Sequence, residues 1–114
     1  MTSPLLILDV AHPPRHPDTV EEALLTAWRD VRNSTVYRGI KVIHGYGRSG
    51  AKASTRETVR NWAFRMRGKF MAVIEGEHYG LQHPAVQEMR REGGTFPDPD
   101  LDRANPGITV LVVK

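Results

Sequence analysis

Apolar residues alternate between tight runs and helical spacing along this chain, and the pattern predicts its elements. Leu5-Leu6-Ile7-Leu8 is a short apolar run, read as a buried strand ending at Asp9. From Ala11 to Asp18 three prolines exclude regular structure. Thr19 and Glu22 then form a capping box, and Val20, Ala23, Leu24, Ala27 and Val31 recur on one helical face, predicting a helix from Val20 to Arg32. Val36 to Ile43 reads as a second strand, with Gly39 a bulge or edge position. Ser54 and Glu57 make another capping box, opening a helix to about Gly68 whose core stripe is Val59, Trp62, Ala63 and Met66. Phe70 to Ile74 and Ile108 to Val113 complete the strands. Between them lies a long polar excursion, 76–105, where Pro84 favours a short helix through Arg91.

The order β-α-β-α-β, a long connection, then β predicts a two-layer α/β sandwich in which helices cover one face of a small, mixed, mostly parallel sheet. The last strand would pair antiparallel at one side. At 114 residues the chain has room for one domain, 1–114, with 76–105 as an insertion. The lack of cysteine excludes disulfides and thiolate metal sites. No stretch is apolar enough to span a membrane and the N-terminus has no basic leader, so a cytoplasmic location is expected. A formal net charge of +3 leans weakly towards anionic partners.

Chemistry concentrates in Ile40-Lys41-Val42-Ile43-His44-Gly45-Tyr46-Gly47-Arg48-Ser49-Gly50, a strand running into a histidine and a basic, glycine-rich loop. The glycines match a dinucleotide fingerprint on paper. However, His44 sits where the turn should begin, and the cap at Ser54 is too far on for the helix end to meet a pyrophosphate. A P-loop is excluded because Ala51 separates Gly50 from Lys52. Ligands of open α/β sheets bind at the carboxyl ends of the strands, where Asp9 and His44 would converge if their strands are neighbours. An imidazole there could serve as acid or base, and Asp9 could orient it or hold a divalent metal such as magnesium or manganese. Gly45 and Gly47 would let backbone amides approach a phosphate, Arg48, Lys52 and Arg56 would supply charge, and Tyr46 could stack on a base. The plainer alternatives are a strand-end Asp that only accepts loop hydrogen bonds and arginines that form a solvated face.

Leu8-Asp9, Thr19-Val20-Glu21-Glu22-Ala23-Leu24, Val42-Ile43-His44-Gly45-Tyr46-Gly47, Glu57 to Trp62 and Gly107-Ile108-Thr109-Val110, in that order, resemble the Smr (small MutS-related) domain. The resemblance implies a fold like the C-terminal domain of bacterial translation initiation factor three. It also implies binding of DNA or RNA, with metal-assisted endonuclease activity in some members. Asp9, His12 and His44 would then be catalytic, and Gly45, Tyr46, Gly47, Arg48, Lys52 and Arg56 would grip nucleic acid. A non-catalytic DNA-, RNA- or ribonucleoprotein-binding module is the alternative. The family's Leu-Asp-x-His is here Leu8-Asp9-Val10-Ala11-His12, one residue longer, which leaves His12, His16 or neither as the histidine partner.

Overall fold

The structure, a computed structural model, describes residues 3–46 and 54–114. Four strands and three α-helices occur among them: β1 (Leu5–Asp9), α1 (Pro17–Arg32), β2 (Gly39–Ile43), α2 (Thr55–Arg65), β3 (Phe70–Glu75), α3 (Pro84–Gly93) and β4 (Ile108–Val113). Short 3-10 turns cover Arg67–Lys69 and Gly76–His78. Among the described residues no helix is long and apolar enough to cross a membrane.

The sheet order is β1-β2-β4-β3, with β1 and β2 parallel and β4 antiparallel to both of its neighbours. The sheet is therefore mixed, as the pattern predicts, but only one of its three pairings is parallel. The last strand is central instead of lateral. The physical reason lies in β4 itself. Ile-Thr-Val-Leu-Val-Val is a nearly continuous apolar run, buried at all six positions, and only an inner strand covered on both faces satisfies it.

Helices on one face is the second expectation the structure corrects. Val20, Leu24, Ala27 and Val31 of α1 and Val59, Trp62 and Ala63 of α2 pack with Ile40, Val42, Leu111 and Val113 on one side of the sheet. On the other side, Val86 and Met89 of α3, with Tyr79 and Phe96, cover Leu5, Ile74, Ile108, Val110 and Val112. The segment 76–105 is thus the third layer of the core, because β4's inner-facing side chains on that side would otherwise meet water.

Local boundaries differ modestly. α1 begins at Pro17, ahead of the expected Val20, because His16 is the N-cap: its Nδ1 accepts the Asp18 amide at 3.1 Å, and Pro17 fills the first turn. The Ser54 cap holds, with Oγ accepting the Glu57 amide at 3.1 Å. α2 ends at Arg65, and its C-cap Met66 leads into the tighter Arg67–Lys69 turn. β2 starts at Gly39, since Ser34 Oγ turns the chain by accepting the amides of Val36 and Tyr37. The strand irregularity lies at Phe70/Ala72 in β3, not at Gly39. α3 starts at Pro84 as expected, capped by His83.

Candidate functional site

The parallel pairing of β1 and β2 brings their carboxyl ends to one edge, with Asp9 in register with Ile43, one residue before His44. The Val10 amide donates to the Ile43 carbonyl at 3.0 Å, so the strands remain side by side to this edge. Side chains alternate, and this decides the geometry. Val10 and Val42 enter the α1/α2 layer, while Ile43 packs on the α3 side. His44 continues the phase of Val42, and Asp9 continues that of Ile43. The two predicted partners leave the sheet by opposite faces, and no hydrogen bond joins Asp9 or His12 to His44 among the described residues.

His44 is 3% exposed and both of its ring nitrogens are engaged. Nδ1 lies 2.8 Å from the Gly45 carbonyl, which can only accept, so Nδ1 carries the proton. Nε2 therefore accepts, and the Thr109 hydroxyl at 2.8 Å is its donor. Thr109 Oγ1 in turn accepts from Arg60 Nε at 3.2 Å. Burial pushes the His44 pKa below its ordinary value. The Gly45 hydrogen bond opposes this, and the positive charges of Arg60 and Arg56 add to the lowering. A neutral imidazole locked at both nitrogens is a strut for this strand end, and it presents no free nitrogen to a substrate.

The rest of the edge is built around the same chain of contacts. The amides of His44 and Gly45 both donate to the Gly107 carbonyl, at 2.9 and 3.0 Å. Gly45 has φ of +80°, a left-handed conformation that favours glycine. Tyr46 is 64% exposed, and its carbonyl accepts from Arg56 Nη1 at 3.1 Å. Arg56 and Arg60 are answered by acid: Arg56 meets Glu77 at 3.3 Å, and Arg60 meets Glu75 at 3.1 Å and Glu77 at 2.8 Å. The Arg60 hydrogen bond outweighs the raising effect of burial and, helped by a backbone hydrogen bond and the charges of Arg60 and Arg56, holds the Glu77 carboxyl below its usual range. Arg56 is thus already partly committed within the protein. Gly47, Arg48 and Lys52 lie outside the described residues.

Asp9 and His12 do come together. His12 Nδ1 lies 3.0 Å from Asp9 Oδ2, and Asp9 Oδ1 accepts the amides of Ala11 at 2.8 Å and His12 at 3.1 Å. Partial burial would raise the Asp9 pKa, but the Ala11 amide and the His12 contacts outweigh it and lower it. An ionised carboxylate only accepts, so His12 Nδ1 carries the proton and Nε2 faces outward from a side chain 76% exposed. Arg15, which the sequence pattern left in an undistinguished loop, brings its guanidinium to the Asp9 carbonyl at 3.3 Å. His16 serves as a helix cap, so of the two loop histidines it is His12 that pairs with Asp9. His78 is exposed and His83 caps α3.

Sequence reasoning also missed Thr109, Arg60 and Glu77, which fix His44 and Tyr46. Thr109 did carry a signal, as the one hydroxyl in the apolar run of β4. Among the described residues no group of three or more His, Asp or Glu is gathered to hold a metal ion. Asp9 has its oxygens turned to the loop amides and the His12 ring, so this donor set does not fit a ready-made metal centre. Compared with protein-family models, curated proteins and solved structures, the chain matches none.

Proposed function

We propose that this chain is a nucleic-acid-binding α/β domain that cleaves the phosphodiester backbone at the β1/β2 edge, in keeping with its resemblance to the Smr domain. The observation that carries the reading is the Asp9–His12 pair, a carboxylate orienting an exposed imidazole at the carboxyl end of a parallel strand. In this reading His12 Nε2 takes a proton from the attacking water or ribose hydroxyl, whose oxygen bonds to phosphorus as the P–O bond to the leaving oxygen breaks. The leaving oxygen takes its proton from solvent, and Asp9 fixes the tautomer and balances the imidazolium that forms. Arg15 supplies positive charge next to the pair, and exposed Tyr46 offers a stacking surface on the same edge. His44 holds the strand end in place and does not exchange protons with substrate.

The test uses labelled single- and double-stranded DNA and RNA, in magnesium, manganese or chelator. His12→Ala is expected to lower the cleavage rate about 10²–10⁴-fold, the usual contribution of a general acid or base, while the protein melts like wild type. Cleavage at the wild-type rate would remove His12 from the mechanism. A second reading, a binding module without catalysis, is supported by the locked His44 ring; retention of a labelled strand uncut under all metal conditions would establish it in place of the first.

A further inference from the structure

Among the described lysines and arginines, five are answered by carboxylates: Lys41 by Asp98 and Asp100, Arg56 and Arg60 by Glu75 and Glu77, Arg65 by Glu21, and Arg91 by Glu88. Of the other described lysines and arginines, Arg32, Arg38, Arg67, Lys69 and Lys114 gather in one place. All five are exposed, and among the described residues none has a carboxylate within salt-bridge distance. They also share one end of the molecule. α1 ends at Arg32, the turn Arg67–Lys69 follows α2, Arg38 precedes β2, and Lys114 follows β4. This is the end opposite Asp9 and His44, separated from it by the length of α2, roughly 16 Å at 1.5 Å per residue.

Contacts show that these residues form one surface. The Trp28 ring carries the Arg32 guanidinium at 5.2 Å and the Lys69 ammonium at 4.3 Å. The Lys114 amide donates to the Lys69 carbonyl at 3.4 Å, and the Val113 amide to the Arg38 carbonyl at 2.9 Å. Arg32, Arg38 and Lys114 line a small cleft with Tyr37. Beside it, Arg67 lies 4.2 Å from the ring of Phe64, which is 55% exposed. Glu88 and Glu92 bound the patch on the α3 side. The carboxyl ends of α1 and α2 point here, and their partial negative charge accounts for a cation or two in the last turns. It does not account for Arg38 and Lys114, which stand outside both helices.

We infer that this end is a second binding surface, one that takes the phosphate backbone of single-stranded nucleic acid. Unpaired cations release counterions when they meet a polyphosphate, so each contact adds affinity and salt dependence. Phe64, 55% exposed beside these cations, offers a ring against which an unpaired base can stack, and only a single strand presents such bases. The surface stands apart from the Asp9–His12 edge and does not depend on its chemistry.

The experiment is fluorescence anisotropy across a salt series, using labelled single-stranded RNA, its duplex, and vesicles of phosphatidylserine and phosphatidylcholine in equal parts. The protein is wild type, Arg32→Glu/Lys69→Glu, and His12→Ala, with melting curves for each. The double variant is expected to bind the single strand at least about tenfold more weakly, with a log–log salt slope smaller by about two, and to melt like wild type. His12→Ala is expected to bind like wild type even where it no longer cuts, so loss of cutting alone bears on the edge and not on this surface. Unchanged affinity and slope in the double variant would overturn the inference. So would preference for the duplex, or binding of wild type to vesicles and to no nucleic acid.

Discussion

Thr109 donates to His44 and accepts from Arg60, so a single hydroxyl links a buried imidazole to the most heavily bonded guanidinium among the described residues. The consequence for His44 is a pH effect with a definite sign. Its folded-state pKa lies below the unfolded value of 6.5, so unfolding takes up a proton. The stability it contributes is full above 6.5 and is lost as the pH falls below that value. Calorimetric melting temperatures are expected to decline from about pH 7 to about pH 5 in wild type, and the decline is expected to flatten in His44→Gln. The lowered carboxyls of Asp9, Glu77 and Asp100 act in a separate window, losing their contribution only as the pH falls below their ordinary values of 3.8 to 4.5. An equally steep decline in His44→Gln would place the effect elsewhere. The sequence made His44 legible as a strand-end histidine, because an apolar run ending in His-Gly is local information. It could not reveal that the ring is spoken for, since the partner hydroxyl lies 65 positions away. Asp9 and His12 were legible together for the opposite reason: they lie three positions apart.

The elements were read well wherever their signal was periodic and less well at their ends. α1 shows why. Thr19 and Glu22 have the right spacing for a capping box, but His16-Pro17 captures the helix three residues earlier. The same device recurs at His83-Pro84, where His83 Nδ1 accepts the Ala85 amide at 3.1 Å. The shared His-Pro pair was the signal to follow, an imidazole acceptor before a residue already fixed at a helical φ. The connection from β3 into the third layer depends on a tighter constraint. A Cβ on Gly76 would lie 1.8 Å from the Asn105 carbonyl oxygen and 2.6 Å from Ile108 Cγ1. Neither is the free end of an exposed side chain, so Gly76→Ala must displace backbone. A loss of about 1–3 kcal/mol is expected in urea unfolding, the usual range for overpacking. A substitution that left the midpoint unchanged would show that the 105–108 segment yields freely.

On the scale of the whole molecule, the third layer is held by charge as well as by apolar contact. Lys41, 6% exposed in the middle of β2, meets Asp98 at 2.7 Å and also pairs with Asp100. Asp98 accepts the Tyr79 hydroxyl at 2.7 Å, and Asp100 accepts from Asn105 at 3.0 Å. Burial alone would lower the Lys41 pKa, but the two carboxylates outweigh it and raise it; burial and then Asp98 push the Tyr79 hydroxyl up as well. Lys41→Met leaves two carboxylates without their cation and is expected to cost about 3–5 kcal/mol, whereas Lys41→Met/Asp98→Asn/Asp100→Asn should recover part of that loss. Chemical denaturation of the three proteins checks both statements, and equal stability of the single and triple variants would contradict them. None of this was visible in the sequence, where Lys41 is an ordinary strand residue 57 positions from Asp98. Strand order escaped for the same reason, since periodicity reports which face of a strand is buried and not which strand lies beside it.

The position of β4 has a consequence for how the molecule is made. β2 and β3 never pair with each other; each is joined to the sheet through residues 108–113. A nascent chain complete through residue 107 can zip β1 to β2, but β3 has no neighbour, and the apolar faces of α2 and α3 have no finished sheet to rest on. The inner strand is then the last of these four to be translated. It would enter between two edges that have waited open, so the interval before its arrival is when this chain is most exposed to pairing with a strand from somewhere else.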